Sequence, residues 1–313
     1  MSVLVLMSTY NGEKYIKTQL DSILAQDYKD INILIRDDGS TDSTPDILEM
    51  YSSKYAAIDW YRGENIGVKK SFFELMLNAD RNIDYYAFAD QDDKWLNQKI
   101  SRAVCILKKY SPKEATLYCS DKIIVNENLN TIHVTVDRLV KNTSFGNALV
   151  QNICTGCTAV MNRRLLEMIC QFPPQYVIMH DWWFYLVASC FGNVYYDQQS
   201  YILYRQHGKN TLGAMLNKKE LFIYRMKQLR RPRGEIFRQA KEFQKLFVQE
   251  SATLIEDSRR PIMTFNNLRL LKTFLMSEKS MRYRIQVILT PQIFRQKTYD
   301  NFILRLIILI GKL

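Results

Sequence analysis

Three carboxylates crowd into four positions at Asp90-Gln91-Asp92-Asp93, directly after the apolar run 85–89. Such groups repel one another, and a hard divalent cation with oxygen ligands, shared with a diphosphate, would relieve that repulsion. An exposed loop ending in a helix N-cap would use the same residue types. A second acidic stretch, Arg36-Asp37-Asp38-Gly39-Ser40-Thr41-Asp42, closes another apolar run. An acid there can accept hydrogen bonds from a ribose hydroxyl or from the imide of uracil or thymine. The structural alternative is a turn at Asp38-Gly39-Ser40 with Asp42 or Ser43 capping the next helix. The two uses are compatible, because Asp42 can cap while Asp38 faces a ligand. A third polar stretch, Ser8-Thr9-Tyr10-Asn11-Gly12, follows the first apolar run.

These stretches act together only if the fold brings them together. Up to about residue 110, β-rich runs at 3–8, 31–37, 58–61 and 85–89 alternate with amphipathic, helix-length runs at 15–25, 42–55, 68–78 and 97–110. Pro45 falls in the first turn of the second helix, where a proline is tolerated. This alternation predicts an α/β fold with a mostly parallel, doubly wound sheet flanked by helices. Ligands of such sheets sit at the carboxyl ends of the strands, so the loops after the first, second and fourth strands should converge on one edge. Beyond Ser111 the pattern is less regular. Strands are expected near 116–120, 153–161 and 195–203, some of them antiparallel, with a helix opening near His180. Pro232 and Gly234 interrupt the C-terminal region as a hinge between helical segments would.

In this order along the chain, Ser8-Thr9-Tyr10-Asn11-Gly12, Arg36-Asp37-Asp38-Gly39-Ser40-Thr41-Asp42, Glu64-Asn65-Ile66-Gly67 and Phe88-Ala89-Asp90-Gln91-Asp92-Asp93-Lys94-Trp95 resemble the motifs of glycosyltransferase family 2, with its GT-A, Rossmann-like fold. Thr155-Gly156-Cys157-Thr158-Ala159, His180-Asp181-Trp182-Trp183 and Tyr204-Arg205-Gln206-His207-Gly208-Lys209-Asn210 are similar to the rhamnosyltransferase-type branch, which builds bacterial cell-wall and capsular polysaccharides. The resemblance covers about residues 1–213.

The resemblance implies that Ser8, Tyr10 and Asp38 hold the base and ribose and that Asn65 and Lys69 border the nucleotide and diphosphate. It also implies that Asp90 contacts ribose or metal and that Asp92 ligates Mg²⁺ or Mn²⁺ bridging the donor phosphates. Asp181 matches the family's general base, the carboxylate that takes the acceptor hydroxyl's proton while oxygen attacks the anomeric carbon in line. A helix start would lower its pKa, and burial beside Trp182 and Trp183 would raise it. His180 would orient Asp181, touch the acceptor or serve structure. Arg205 and His207 would bind the departing diphosphate or complete the metal shell. Trp95, Trp182 and Trp183 suit stacking on the C–H faces of an acceptor sugar, and Trp95 equally suits the core or a lid anchor.

The implied enzyme is an inverting, metal-dependent transferase acting on a lipid-linked saccharide acceptor in bacterial cell-surface polysaccharide synthesis. Its first expected donor is dTDP-L-rhamnose, and a UDP-hexose is the alternative. A non-catalytic membrane scaffold would keep the fold and the basic tail, but Asp90, Asp92 and Asp181 are all intact.

Residues 214–313 carry 21 Lys/Arg against 8 Asp/Glu, whereas 1–213 carry 22 against 24, so the excess positive charge lies in the last third. There it is interleaved with apolar residues, as in Leu221–Lys227 and Phe302–Ile310. That texture suits either amphipathic helices in an anionic membrane interface or helices packed on the main domain with a solvated basic face. No run approaches the roughly 20 apolar residues of a spanning helix. The expected division is therefore a GT-A domain over 1–213, with a nucleotide-binding half at 1–110 and an acceptor-side half at 111–213, followed by a basic amphipathic helical region over 214–313. The expected location is cytoplasmic, peripheral on the inner face of the cell membrane, and a second copy of the chain is a candidate partner.

The N-terminus opens directly on an apolar run, so no signal peptide is expected. The six cysteines are irregularly spaced and read as reduced core residues, with Cys154 and Cys157 a lone CxxC that has no second ligand pair. No nucleic-acid partner is expected, because the basic third carries no recognised nucleic-acid-binding module. The missing GxGxxG after the first strand argues against a nicotinamide dehydrogenase.

Overall fold

The computed structural model describes residues 1–134, 141–208, 234–248 and 261–313. The basic and apolar run Leu221–Lys227, Pro232, and Lys209 and Asn210 at the end of the last motif lie outside them.

The first strands are β1 (Val3–Thr9), β2 (Ile31–Asp37), β3 (Ile58–Arg62) and β4 (Tyr85–Asp90). The alternating helices are α1 (Ile16–Leu24), α2 (Thr44–Lys54), α3 (Val68–Asn78) and α4 (Lys99–Leu107). Residues Val3 to Met7 are all buried, as expected of a strand covered on both faces, where an uninterrupted apolar run replaces alternation. In α1, Ile16, Leu20 and Ile23 are buried at helical spacing. β1 lies parallel to both β2 and β4, and β2 lies parallel to β3. Ser8 is in register with both Arg36 and Asp90, which brings the carboxyl ends of three strands level.

Beyond β4 the chain adds β5 (Lys94–Trp95), β6 (Ala115–Val125), β7 (Thr131–Val134), α5 (Phe145–Ala148), β8 (Val160–Asn162), α6 (Arg163–Gln171), α7 (His180–Phe191) and β9 (Gly192–Arg205). The sheet runs β3-β2-β1-β4-β8-β6-β9-β5, with β7 on β6. The pairs β4–β8, β6–β8, β6–β7 and β5–β9 are antiparallel, so the parallel expectation holds for the first four strands and the sheet as a whole is mixed. The strand expected over 153–161 is instead a single 3-10 turn at Gly156–Thr158 followed by the short β8. Thr158 turns the chain there, its amide and its hydroxyl both donating to the Thr155 carbonyl.

The chain forms two compact units. Met1–Arg138, Cys154–Gln171 and Val194–Leu216 make the first, and Leu139–Ile153, Phe172–Asn193 and Asn217–Leu313 make the second. In the second unit α5 and α7 group with the C-terminal helices α8 (Glu235–Phe247), α9 (Phe265–Met276), α10 (Met281–Leu289) and α11 (Thr298–Leu309). α7 is apolar nearly all round and buried accordingly. Its Trp183 packs on Phe243 and Phe247 of α8, which also meet Phe191. In α5 a Cβ on Gly146 would stand 2.2 Å from the Gln292 carbonyl oxygen, an approach that only glycine permits.

All six cysteines are free. Cys119, Cys154, Cys157 and Cys190 are buried, whereas Cys105 is exposed on α4, contrary to the core position expected for it. Among the described residues no helix is long and apolar enough to cross a membrane.

Candidate active site

In the first unit the three loops at the carboxyl edge are stitched together by named bonds. Gln91 accepts from the Thr9 hydroxyl and the Tyr10 amide and donates back to the Tyr10 carbonyl at 3.0 Å. A Cβ on Gly12 would lie 2.3 Å from the Gln91 amide oxygen, so a side chain there would displace the Gln91 amide from its bonds to Thr9 and Tyr10. The Asn11 amide donates to Ser40 Oγ at 2.9 Å, Asn11 Oδ1 accepts from the Thr41 amide at 2.8 Å, and the Gly12 amide donates to Thr44 Oγ1 at 2.8 Å. Asp42 accepts from the amide and hydroxyl of Thr44 at the start of α2, so it serves the capping role.

Asp38 is only 2 % exposed. One of its oxygens accepts from Arg36 and from the Ile66 amide, and the other accepts from the Gly67 amide at 2.9 Å. Arg36, itself buried, also donates to Ser71 Oγ at 3.1 Å and to the Glu64 carbonyl at 2.8 Å. Ser8 donates its hydroxyl to Ser71 at 2.7 Å. A carboxylate offers about four acceptor positions, and three donors occupy those of Asp38. Tyr10, Asn65 and Lys69 are exposed. The Asn65 amide nitrogen lies beside the Gly39 turn, 3.2 Å from where a Cβ would stand.

The acidic loop meets the end of β9. His207 Nε2 lies 2.7 Å from Asp92 Oδ2. Arg205, 4 % exposed, donates its amide to Asp93 Oδ1 at 3.0 Å, its Nε to the Asp92 carbonyl at 2.7 Å, and an Nη to the Glu127 carbonyl. Burial lowers the pKa of this guanidinium. Tyr15 joins the group, with the Arg205 guanidinium 4.6 Å from its ring centre and the His207 ring stacked on it at 4.8 Å.

The carboxylates here crowd one another. Burial, and then the neighbouring Asp92 and Asp90, push the Asp93 carboxyl well above the usual carboxylate range. Asp90, Asp93 and Cys157 bring ligand atoms within 4.8 Å of one another. Cys157 is an unsuitable donor for a hard ion, because burial and then Asp93 push its thiol up and keep it protonated. The half-buried Asp90 and Asp92, with His207 beside Asp92, suit a divalent cation better.

In the second unit Asp181 is the second residue of α7 and is buried. Its Oδ1 accepts from Asn152 Nδ2 at 3.0 Å and from the Trp182 amide at 2.7 Å. Trp182 is half-buried, its indole N–H donating to the Ala148 carbonyl at 2.7 Å. Two expectations are corrected here. Trp183 is 0 % exposed within the aromatic core and has no face for a sugar. His180 is buried against Phe184, and burial pushes its imidazole down to about 3, so it is a neutral core residue out of an acceptor's reach. In the first unit Trp95 is likewise core, 1 % exposed.

The structure also recruits residues that the motifs did not single out for a role: Gln91, Arg36, Asp93, Tyr15 and the backbone of Glu127. Gln91 and Asp93 were visible as members of the acidic loop, and Arg36 as the cation before Asp37-Asp38. Nothing local marks Tyr15, and a carbonyl contributed by Glu127 carries no side-chain signal at all.

A mixed α/β sheet with an acidic loop at the carboxyl edge defines a GT-A-type nucleotide-sugar fold. The family model described as glycosyl transferase family 2 matches residues 4–169, and the chain belongs to that family. It is a glycosyltransferase, 34 % identical over 232 residues to the dTDP-rhamnosyl transferase RfbG of Shigella flexneri, covering 67 % of this chain and 75 % of that protein. The fold is that of S. aureus TarS 1-349 solved with UDP-GlcNAc, at a TM-score of 0.58 and 18 % identity, over 92 % of this chain and 81 % of that one. The mannosyltransferase PcManGT of Pyrobaculum calidifontis, solved with GDP-Man and Mn²⁺, aligns at a TM-score of 0.50 and 16 % identity over 99 % of this chain and 85 % of that one.

Proposed function

We propose that the chain is an inverting, metal-dependent rhamnosyltransferase that uses dTDP-L-rhamnose and extends a lipid-linked saccharide of a bacterial cell-surface polysaccharide, working as a peripheral protein on the cytoplasmic face of the membrane. The observation that carries the transferase chemistry is the meeting of the Asp90-Gln91-Asp92-Asp93 loop with His207 and Arg205 beside the loops after β1 and β2. The similarity to RfbG supports the donor.

In this reading Ser8, Tyr10 and Asp38 receive the base and ribose, and Asn65 and Lys69 border the diphosphate. Asp90, Asp92 and His207 would hold Mg²⁺ or Mn²⁺, which when bound offsets the charge of the leaving diphosphate. Asp181 takes the proton of the acceptor hydroxyl as its oxygen bonds to the anomeric carbon. The bond from that carbon to the diphosphate oxygen breaks, and the electron pair leaves with the nucleotide diphosphate. Back-side attack inverts the β-configured donor to an α-linked product. The Asn152 and Trp182 donors fix the orientation of the Asp181 carboxylate. Arg205 holds the acidic loop to β9 and keeps a buried positive charge beside the phosphates.

The reading is tested by nucleotide-diphosphate release from a panel of dTDP- and UDP-sugars, with Mn²⁺ or EDTA, in the presence of a lipid-linked acceptor extract. Release from dTDP-rhamnose that EDTA abolishes is expected. Release from a UDP-hexose alone would replace the donor, and EDTA-resistant release would remove the metal.

A further inference from the structure

The surface of the last two helices inverts the usual amphipathic arrangement. On α10 the exposed residues include Met281, Ile285 and Leu289, at i, i+4 and i+8, with Leu289 74 % exposed, while Val287 on the opposite side is buried. On α11 Phe302, Leu306 and Leu309 are exposed at i, i+4 and i+7, with Tyr299 and Ile310 alongside, while Leu304 and Ile308 are buried. Each helix therefore uses one apolar stripe for packing and leaves a second one in solvent, which a helix serving structure alone does not need. The two helices pack on each other, and Arg284 ties them by donating to the Ser277 and Glu278 carbonyls before α10 and to the Leu309 carbonyl of α11.

Charge selects the occupant of this face. Residues 279–313 contain seven Lys and Arg against the single carboxylate Asp300. Lys279 and Arg282 are exposed beside the α10 stripe, and the preceding Glu278 is neutralised by Lys241 at 2.7 Å. Exposed apolar side chains at helical spacing, rimmed by cations with almost no acids, match an interfacial helix with its apolar side in the acyl boundary and its cations at anionic headgroups. A stable self-association face would instead be depleted of charge at its core.

We propose that α10 and α11 form a docking platform for an anionic lipid surface. This deepens the membrane-side reading above, on which it rests, and does not depend on the identity of the donor. Its chemistry is two-part: Ile285, Leu289 and Phe302 enter the bilayer interface, and Lys279 and Arg282 select for negative headgroups.

The test is co-sedimentation of the full chain with vesicles of phosphatidylcholine alone or mixed with phosphatidylglycerol. It uses wild type, the triple variant Ile285→Ser, Leu289→Ser, Phe302→Ser, and the double variant Lys279→Glu, Arg282→Glu. All five positions are exposed, and unchanged helicity and melting confirm that each variant folds. Wild type should bind the anionic vesicles at least tenfold more tightly than the neutral ones. The triple variant should lose at least tenfold in binding to anionic vesicles, and the double variant should lose the preference for them. Wild type indifferent to phosphatidylglycerol, or a triple variant that binds as well as wild type, would overturn the proposal. So would a wild-type dimer that the triple variant converts to monomer with vesicle binding unchanged, since the face would then belong to a second copy. Release of nucleotide diphosphate with a soluble acceptor, measured on the same samples, separates the two readings. Turnover without vesicle binding sinks the platform alone, and vesicle binding without turnover sinks the transferase chemistry alone.

Discussion

Among the described residues only the first unit buries cations, although it leaves others such as Lys14, Lys54 and Lys69 in solvent. The first buries Arg36, Lys99 and Arg205, whereas the second leaves Arg238, Lys241, Arg269, Lys272 and Arg282 in solvent. A buried guanidinium must have its donors satisfied by fixed acceptors, and those of Arg36 and Arg205 are spent on the Asp38 carboxylate and on the Glu64, Asp92 and Glu127 carbonyls. The two inward arginines therefore act as rigid fasteners of a preorganised polar edge, whereas Lys99 is buried against the Trp95 ring. The outward ones are screened, contribute little to folding, and are available to an external anionic surface. Composition alone reports the sum of these two uses; the structure separates them.

If the first unit is a preorganised anion-binding edge, the acidic loop should dominate activity. Asp92→Asn is expected to lower transfer by about 10²–10³, with unchanged melting, as measured by product formation with Mn²⁺ at saturating donor. Near-wild-type turnover would move the metal and diphosphate elsewhere.

Breaking an inward fastener should be costly. Arg36→Met leaves the buried Asp38 charge without its cation and should destabilise the protein by about 3–5 kcal/mol, measured by denaturant unfolding. A loss below 1 kcal/mol would show that the Ile66 and Gly67 amides suffice.

Lys99 gives the comparison a pH dependence. Its ammonium has no hydrogen-bond partner among the described residues and lies 3.7 Å from the Trp95 ring centre. Burial pushes its pKa down to about 8, from 10.5. Between those two values the unfolded chain binds more protons, so stability should rise as pH increases from about 8 to 10.5, and the penalty is fully present below 8. The difference between wild type and Lys99→Met should therefore vary across that window by on the order of 3 kcal/mol. A pH-independent difference would mean that the lysine titrates normally.

The outward cations should show the smallest effect on folding. Arg282→Gln is expected to change stability by less than about 0.5 kcal/mol, and a larger loss would give this arginine a structural role.

The legible part of the fold was the part built from local signals. Four parallel strands, their helices and the meeting of three loops followed from apolar runs separated by polar turns, because the central strands β1 and β4 are apolar nearly throughout and each loop follows its strand directly. That residues 139–153 and 172–193 group with the C-terminal helices has no local signal, since their partners lie up to about 150 positions away, as between Asn147 and the Phe294 carbonyl. Trp183 looked like a sugar platform because the motif shows only that tryptophans are adjacent. The helix period decides that Trp183 faces Phe243 while Trp182 reaches the Ala148 carbonyl. Asp38 was legible as an acid at a strand end, but its lock to Arg36 was not, because Asp38 lies just past the end of β2, where the loop and not the strand period sets the direction of its side chain.

The most direct test of the account is Asp181→Asn, with donor binding and sugar transfer measured on the same preparation. Asp181 is expected to act in proton removal and not in holding the donor, so the variant should bind dTDP-rhamnose with Mn²⁺ as wild type does while transfer falls by about 10²–10⁴. Transfer at the wild-type rate would contradict the assignment of the base, and with it the mechanism proposed for this chain.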